Sequence, residues 1–219
     1  MIEENVKKLF SKVKEKNLYG EKVNVLAATK TRTVEEIRQA INAGITSIGE
    51  NKAQEFRDKY PFFSGMDYRF IGNIQRNKLK YLVGKCSLIE SVSDKAVAED
   101  ISALSQKLGV VTQILVEVNL GEQSKSGVEE NQLLPFCKTI SSLKNVRLKG
   151  IMAMLPKADF DSVREKCLQT RRLYDIIKSE FEGISVLSMG TSGDFEIAVE
   201  CGSNSIRVGE AIFGKRNYS

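Results

Sequence analysis

The chain has 219 residues, of which 42% are hydrophobic and 28% are charged, and its net charge is +5. These are the proportions of an ordinary soluble globular protein, and a mild charge without a dense block of Lys or Arg argues against binding to nucleic acid. No apolar stretch is long enough to span a membrane, and the absence of histidine excludes Ser-His-Asp and Cys-His catalysis, histidine-ligated metals and imidazole bases.

The four cysteines are scattered and form no CxxC pair; they are Cys86, Cys137, Cys167 and Cys201. This spacing favours reduced thiols over a disulfide framework or a zinc site. The charged amino terminus lacks the apolar core of a signal peptide. We therefore expect a cytoplasmic protein without a metal site.

Helix-like and strand-like segments alternate along the chain. Ile2, Val6 and Leu9 have helical spacing and predict a helix over 2–17, which precedes an apolar strand at 23–28. A capping box then begins a helix at Thr33 that continues to about Ala43. The later predicted strands are 45–51, 68–72, 88–92, 113–119, 148–154, 186–190 and 205–209. The later predicted helices begin at about 52 and span 75–83, 94–108, 129–142, 160–180 and 194–201.

Eight strands that alternate with helices indicate parallel pairing through right-handed crossovers. Eight such units in about two hundred residues suit a compact (β/α)8 TIM barrel better than an open doubly wound sheet, although the strand count alone does not decide. The predicted fold is an α/β class (β/α)8 barrel with an extra N-terminal helix. No linker divides the chain, so one domain over 1–219 is expected.

Lys30 follows the first apolar strand directly. A lysine at the carboxyl end of a buried parallel strand has its stem in an apolar layer and its amine at the mouth of the barrel. Desolvation there lowers the pKa of an amine and lets it attack carbonyl groups. The alternative is that Lys30 is one more surface lysine.

Glycines and hydroxyls follow the seventh strand in the segment 188–194, which contains Ser188, Thr191 and Ser192. Free backbone N–H groups in such a turn suit a phosphate, although Ser192 or Asp194 could simply cap the next helix. A second glycine turn after the eighth strand contains Arg207 and Gly209. Because phosphate sites in barrels form from these two loops, the pair of turns favours phosphate.

Three further features have structural alternatives. Arg207 could pair with Glu50 or another carboxylate, and Asn51 could be a turn residue. Met152 and Met154 have the period of inward-facing strand residues and are expected to fill the core.

A lysine, an arginine and a pair of phosphate-binding turns together suit a phosphorylated aldehyde that forms a Schiff base with the lysine. Pyridoxal 5′-phosphate is the foremost candidate, and a phosphosugar aldolase would need the same two ends.

The ordered set of motifs resembles the YggS/PROSC family of pyridoxal phosphate homeostasis proteins over essentially the whole chain. Each motif alone is weak, whereas the ordered set is specific. The motifs are Ala27–Lys30, Ile48–Asn51, Phe70–Lys78, Val118–Asn119 with Glu122, Lys125 and Gly127, Gly150–Met154, Leu187–Asp194, Gly202–Ser203 and Ile206–Arg216.

The resemblance implies a barrel like the amino-terminal domain of alanine racemase, with Lys30 carrying pyridoxal 5′-phosphate as an internal aldimine. It further implies that Asn51 lies near the ring, that Arg207 contacts the pyridine nitrogen, and that Ser192, Gly209 and neighbouring main-chain amides hold the phosphate. Arg69 and Thr191 stand where the family often has histidine and methionine. The predicted cofactor-binding residues are Lys30, Asn51, Ser188, Thr191, Ser192, Arg207 and Gly209.

An arginine at the pyridine nitrogen donates hydrogen bonds and accepts no proton, so the ring should be a poor electron sink. Racemases that resemble this barrel take a tyrosine base from an additional domain, which this chain lacks. We therefore expect a monomeric protein that holds and passes on the cofactor, with apo forms of pyridoxal-phosphate enzymes as candidate recipients and no catalytic residue. The alternative is a pyridoxal-phosphate enzyme such as a weak amino-acid racemase, or a lysine-dependent aldolase.

Overall fold

Eight parallel strands form the centre of the protein. The computed structural model describes residues 1–121 and 126–215, so the motif residues Glu122, Lys125 and Arg216 lie outside the described part. The strands are β1 (Asn24–Ala28), β2 (Ser47–Glu50), β3 (Asp67–Phe70), β4 (Ile89–Val92), β5 (Thr112–Asn119), β6 (Val146–Ala153), β7 (Val186–Ser188) and β8 (Ser205–Val208). A two-residue strand, Val128–Glu129, lies beside the end of β5.

The strands close into a ring. Each strand pairs in parallel with the next, and β8 returns to β1 through the register pair Leu26 and Arg207. Because every strand runs in the same direction, the carboxyl ends of all eight meet at one mouth. The (β/α)8 barrel predicted from the alternation of elements is confirmed.

Helices surround this ring. They are α1 (Ile2–Lys12), α2 (Val34–Asn42), α3 (Ala53–Phe63), α4 (Lys95–Leu108), α5 (Glu130–Ser142), α6 (Phe160–Glu180), α7 (Phe195–Glu200) and α8 (Glu210–Phe213). The capping box of α2 forms as predicted, since the Thr33 hydroxyl accepts from the Glu36 amide and the Glu36 carboxylate accepts from the Thr33 amide. None of the helices in the described ranges is both long and apolar enough to cross a bilayer.

Two helices differ from the prediction. Helix α1 ends at Lys12 instead of continuing to 17, because the backbone of Val13 is extended. Asn17 belongs to a separate turn, in which its side chain accepts from the amides of Tyr19 and Glu21. The segment predicted as an α-helix at 75–83 contains a 3₁₀ helix at Arg76–Tyr81 instead. Its buried residue Leu79 and the buried Leu82 that caps it are three positions apart, which matches the three residues per turn of a 3₁₀ helix.

The apolar core lies mainly between the ring of strands and the helices. For example, the rings of Phe56 on α3 and Tyr68 on β3 pack with centroids 4.3 Å apart. The inside of the barrel is more polar and contains the buried side chains of Glu90, Ser188 and Arg207. The barrel interior therefore differs from the outer core in that it has charges that need partners.

Gly150 marks a close approach of two strands. It has φ +148°, and a Cβ atom at this position would lie 1.8 Å from the carbonyl oxygen of Val186 on the neighbouring strand. The register of β5 and β6 also shifts beside it, since Ile114 pairs with Leu148 and Leu115 pairs with Gly150. The strands can therefore pair here only if residue 150 has no side chain.

We predict that Gly150→Ala lowers the free energy of unfolding by more than about 3 kcal/mol, because the backbone must move to relieve the overlap. Gly183→Ala is the matched control, since Gly183 has φ +79° and open space around its missing Cβ. That change should cost only the strain of a left-handed residue, about 1 to 2 kcal/mol. Denaturant unfolding would measure both losses, and equal losses would contradict the role assigned to the overlap.

Candidate functional site

A cavity of about 550 Å³ opens at the mouth where the strands end. Lys30 reaches it from the turn after β1, Arg207 from β8, and Thr191 and Ser192 from the loop after β7. The full lining consists of Ala28, Lys30, Pro156, Lys157, Ala158, Val163, Thr191, Ser192, Gly193, Asp194, Arg207, Gly209 and Glu210. Three side chains of this set are cationic and two are acidic.

Side chains of helix α3 form hydrogen bonds to the backbone of the turn that carries Lys30. Thr31 has φ +64°, a left-handed conformation that is unfavourable for a β-branched residue. Its amide donates to Glu55 Oε2 at 2.7 Å, and Lys59 Nζ donates to the carbonyl of Thr29 at 2.9 Å. These bonds compensate the strain and fix the direction in which the half-buried Lys30 leaves the strand.

Glu50 lies beneath this turn and is completely buried. Its Oε1 accepts from Lys59 Nζ at 2.7 Å and from the Thr29 hydroxyl at 2.6 Å. Burial raises the pKa of Glu50, and the charge of Lys59 acts in the opposite direction. The partners of Glu50 are therefore Lys59 and Thr29, and the pairing of Arg207 with Glu50 that the sequence left open is not found.

Arg207 lies at the other side of the mouth and is 4% exposed. Its Nη1 donates to the Ser188 hydroxyl at 2.6 Å, and its Nη2 donates to the Ala153 carbonyl at 2.8 Å. The nearest carboxylate oxygen is Glu90 Oε2, 4.0 Å from Nη1. Burial lowers the pKa of the guanidinium, and the charge of Glu90 is the first factor that raises it.

The loop after β7 is organised by side chains. The hydroxyl of Ser192 accepts from the amides of Gly209 and Ala211, each at 3.2 Å, and thereby ties this loop to the loop after β8. Asp194 accepts from the amide and the hydroxyl of Thr191. A hydroxyl that accepts two hydrogen bonds still has a proton to donate, so Ser192 can donate to a ligand in the cavity.

Five of the seven predicted site residues line this one cavity, namely Lys30, Thr191, Ser192, Arg207 and Gly209. Asn51 and Ser188 lie outside its lining. Asn51 Oδ1 is buried and has no hydrogen-bond partner among the described residues, whereas Ser188 is fully buried behind Arg207. A role for these seven residues in binding stays a prediction.

The prediction that Met152 and Met154 both fill the core is correct only for Met152. Met152 is 1% exposed, but Met154 is 41% exposed and its sulfur lies 3.1 Å from Arg207 Nη2. The alternation of inward-facing and outward-facing side chains does not continue to Met154, because β6 stops at Ala153. Met154 belongs to the rim of the site.

Sequence reasoning missed several charged residues that lie inside the barrel or beside the site. Glu90 is the one charged residue of the predicted strand 88–92, and Glu117 is the one charged residue of the predicted strand 113–119. A lone carboxylate in a buried strand was the signal for both, because it requires a partner inside the barrel. No comparable signal identifies Glu55 and Lys59, which are two of many charged residues on a surface helix.

The similarity to known proteins covers nearly the whole chain. The family model described as alanine racemase, N-terminal domain, matches residues 2–217. A pyridoxal phosphate homeostasis protein from Aquifex aeolicus is 39% identical over 199 residues, which cover 89% of this chain and 87% of that protein. Its counterpart in Escherichia coli K12 is 31% identical over 206 residues, covering 91% of this chain and 88% of the relative.

Solved structures agree with this relationship. PipY of Synechococcus elongatus, solved with PLP bound, is 26% identical and superposes with a TM-score of 0.86, covering 98% of this chain and 100% of PipY. Alanine racemase from Corynebacterium glutamicum shares the fold at 14% identity and a TM-score of 0.74, and the chain covers 98% of its own length and 60% of that enzyme. The chain therefore belongs to the family with the alanine racemase N-terminal domain and, within it, to the pyridoxal phosphate homeostasis proteins.

Proposed function

We propose that this protein binds pyridoxal 5′-phosphate through Lys30 and serves to hold and deliver it without catalytic turnover. The observation that carries the proposal is the meeting of Lys30, Ser192 and Arg207 around one cavity at the mouth of the barrel. The structure of PipY with pyridoxal phosphate (PLP) bound and the names of the curated relatives support the same ligand.

The groups around the cavity fit this ligand chemically. When bound, pyridoxal phosphate supplies an aldehyde that condenses with primary amines. Lys30 provides the amine, and Ser192 provides a hydroxyl donor for a phosphate, whereas the hydroxyl of the neighbouring Thr191 donates to Asp194. Asn51 adds a buried amide oxygen without a partner among the described residues, which is the kind of acceptor that a ligand donor would satisfy.

Arg207 accounts for the proposed lack of turnover. A guanidinium only donates hydrogen bonds, so it cannot leave a proton on a ring nitrogen that it contacts in the way an aspartic acid can. The described residues that line the cavity include no tyrosine, and the chain has no histidine to act as a second base. Binding is therefore better supported by these residues than proton transfer at carbon.

The proposal extends to the state of the protein in the cell. We infer one domain over 1–219, a monomer, and a cytoplasmic location, with apo enzymes that use pyridoxal phosphate as recipients. Pairing of β1 with β8 supports the single domain, because it joins the two ends of the described chain in one sheet. The four cysteines are free thiols, three of them buried, which suits a reducing compartment.

We predict that pyridoxal phosphate forms a borohydride-reducible bond to Lys30 and to no other lysine. Peptide mapping of the reduced protein would locate the modification, which Lys30→Ala should abolish. Lys157→Ala is the matched control, because Lys157 lines the same cavity and should be dispensable. Modification spread over several lysines would contradict the assignment.

The absence of turnover is checked with the same loaded protein. Amino acids incubated with it in deuterium oxide should show no exchange at the α-carbon above that caused by free pyridoxal phosphate. Rapid exchange would favour the alternative of a racemase-like enzyme and would contradict the holding role.

We predict that Arg207→Ala raises the dissociation constant for pyridoxal phosphate by at least about tenfold, because hydrogen bonds from a charged donor are lost. The covalent bond to Lys30 should still form. Arg207→Lys keeps the charge without the planar fork and should give an intermediate loss, which separates geometry from charge. Unchanged retention in both variants, measured by equilibrium titration, would remove Arg207 from the site.

We predict that Glu55→Ala slows the reaction of Lys30 with pyridoxal phosphate on the order of tenfold, because the turn that aims the amine is loosened. The change removes the acceptor of the Thr31 amide and one partner of Lys59. Gln54→Ala, at an exposed position of the same helix, is the control and should react at the wild-type rate. Stopped-flow absorbance would compare the rates, and equal rates would exclude a positioning role for Glu55.

A further inference from the structure

A row of polar side chains, all buried except the partly buried Arg69, crosses the inside of the barrel and ends at Arg207. Arg69 Nη1 donates to Glu90 Oε1 at 3.1 Å, and the hydroxyl of Ser188 donates to Glu90 Oε2 at 2.6 Å. Arg207 Nη1 in turn donates to the same hydroxyl at 2.6 Å. Strands β3, β4, β7 and β8 thus each contribute one member of this row.

The direction of each hydrogen bond is fixed by chemistry. An ionised carboxylate only accepts and a guanidinium only donates, so Ser188 must give its proton to Glu90 and accept from Arg207. At 4.0 Å, Arg207 Nη1 and Glu90 Oε2 are too far apart to bond directly. The hydroxyl of Ser188 therefore bridges the two groups, so the place of the Glu90 carboxylate determines where the Arg207 guanidinium is held.

The charges within the row balance. Arg69 is shared between Glu90 and Asp67, whose Oδ2 lies 2.7 Å from Arg69 Nη2. Two carboxylates thus face the two guanidinium groups of Arg69 and Arg207. Glu90 is completely buried, so its charge is tolerated only while these partners remain in place.

Arg207 is held at its other nitrogen as well. Nη2 donates to the carbonyl of Ala153, and the sulfur of Met154 lies beside it. The plane of the guanidinium is therefore fixed from two sides, by backbone at Nη2 and by the Ser188 and Glu90 pair at Nη1. The backbone acceptor at Nη2 stays in place in any side-chain variant, whereas the support at Nη1 can be removed while Arg207 is unchanged.

We propose that Glu90 and Ser188 are positioning residues that hold the guanidinium of Arg207 against the bound pyridoxal phosphate, and that Arg69 anchors Glu90. This inference rests on the proposed function, because it takes Arg207 as a ligand contact. Their role is to set how tightly the ligand is retained and the electronic environment of its ring.

The test is a titration of the purified full-length protein with pyridoxal phosphate, with absorption spectra recorded across pH 6 to 9. Glu90→Gln and Ser188→Ala should each raise the dissociation constant on the order of tenfold and shift the absorption band of the bound ligand. Glu117→Gln is the matched control, since Glu117 is also a buried strand carboxylate whose charge acts on Arg207, yet its hydrogen bond comes from Ser126. This control should change the dissociation constant by less than about threefold.

A double-mutant cycle separates positioning from general structural support. In an Arg207→Ala background, Ser188→Ala and Glu90→Gln should add little further loss, because the group that they position is gone. Additive losses in that background would overturn the inference. Ser188→Ala is decisive if Glu90→Gln fails to fold, and melting curves of every variant identify such a failure.

The outcomes also separate this inference from the proposed function. Wild-type protein that takes up no pyridoxal phosphate would defeat the proposed function itself. Wild-type binding together with unchanged affinity and spectrum in Ser188→Ala would overturn only the positioning role of Ser188 and Glu90.

Discussion

A guanidinium buried inside a barrel of apolar strands is the constraint on which the site depends. Arg207 is almost inaccessible to water, and its charge is stable there only because acceptors surround it. Its hydrogen bonds go to Ala153 at the end of β6 and to Ser188 at the end of β7, and the carboxylate of Glu90 in β4 lies 4.0 Å away. The eight strands must therefore close in the correct register before the arginine can be accommodated, so the fold and the site are specified together.

The two sides of the mouth are supported in different ways. Arg207 is fixed from inside the barrel, by side chains that project from strands. Lys30 is fixed from outside, because Glu55 and Lys59 of helix α3 bind the backbone of the turn after β1. Under the proposed function the arginine only has to stay in place, which suits the rigid interior, whereas the lysine would have to react and would need its backbone held and its amine accessible. Strain at Thr31 is consistent with a turn whose conformation is imposed by these neighbours.

Much of this arrangement could be predicted from the sequence, because strand order fixes which ends meet. Lys30, Ser192 and Arg207 each follow or end an apolar strand, and parallel closure brings such positions to one mouth. Thr33 and Glu36 likewise encode their capping box locally. The position of Met154 could not be predicted, because it depends on where β6 stops. The residues that hold the turn around Lys30 and the carboxylate behind Arg207 also could not, since Glu55, Lys59 and Glu90 become neighbours of the site only through tertiary packing.

The contacts that anchor Arg207 oppose the loss of its proton, whereas burial lowers the pKa of the guanidinium. Its nitrogens already donate to Ser188 and to the Ala153 carbonyl, and Glu90 keeps a negative charge close behind it, which favours the protonated guanidinium. Exchanging Arg207 for a proton-donating group would therefore require more than one substitution, because Glu90 would lose its second cationic neighbour and Ser188 its donor. Under the proposed function, the same set of buried charges would both retain the ligand and disfavour proton transfer to it.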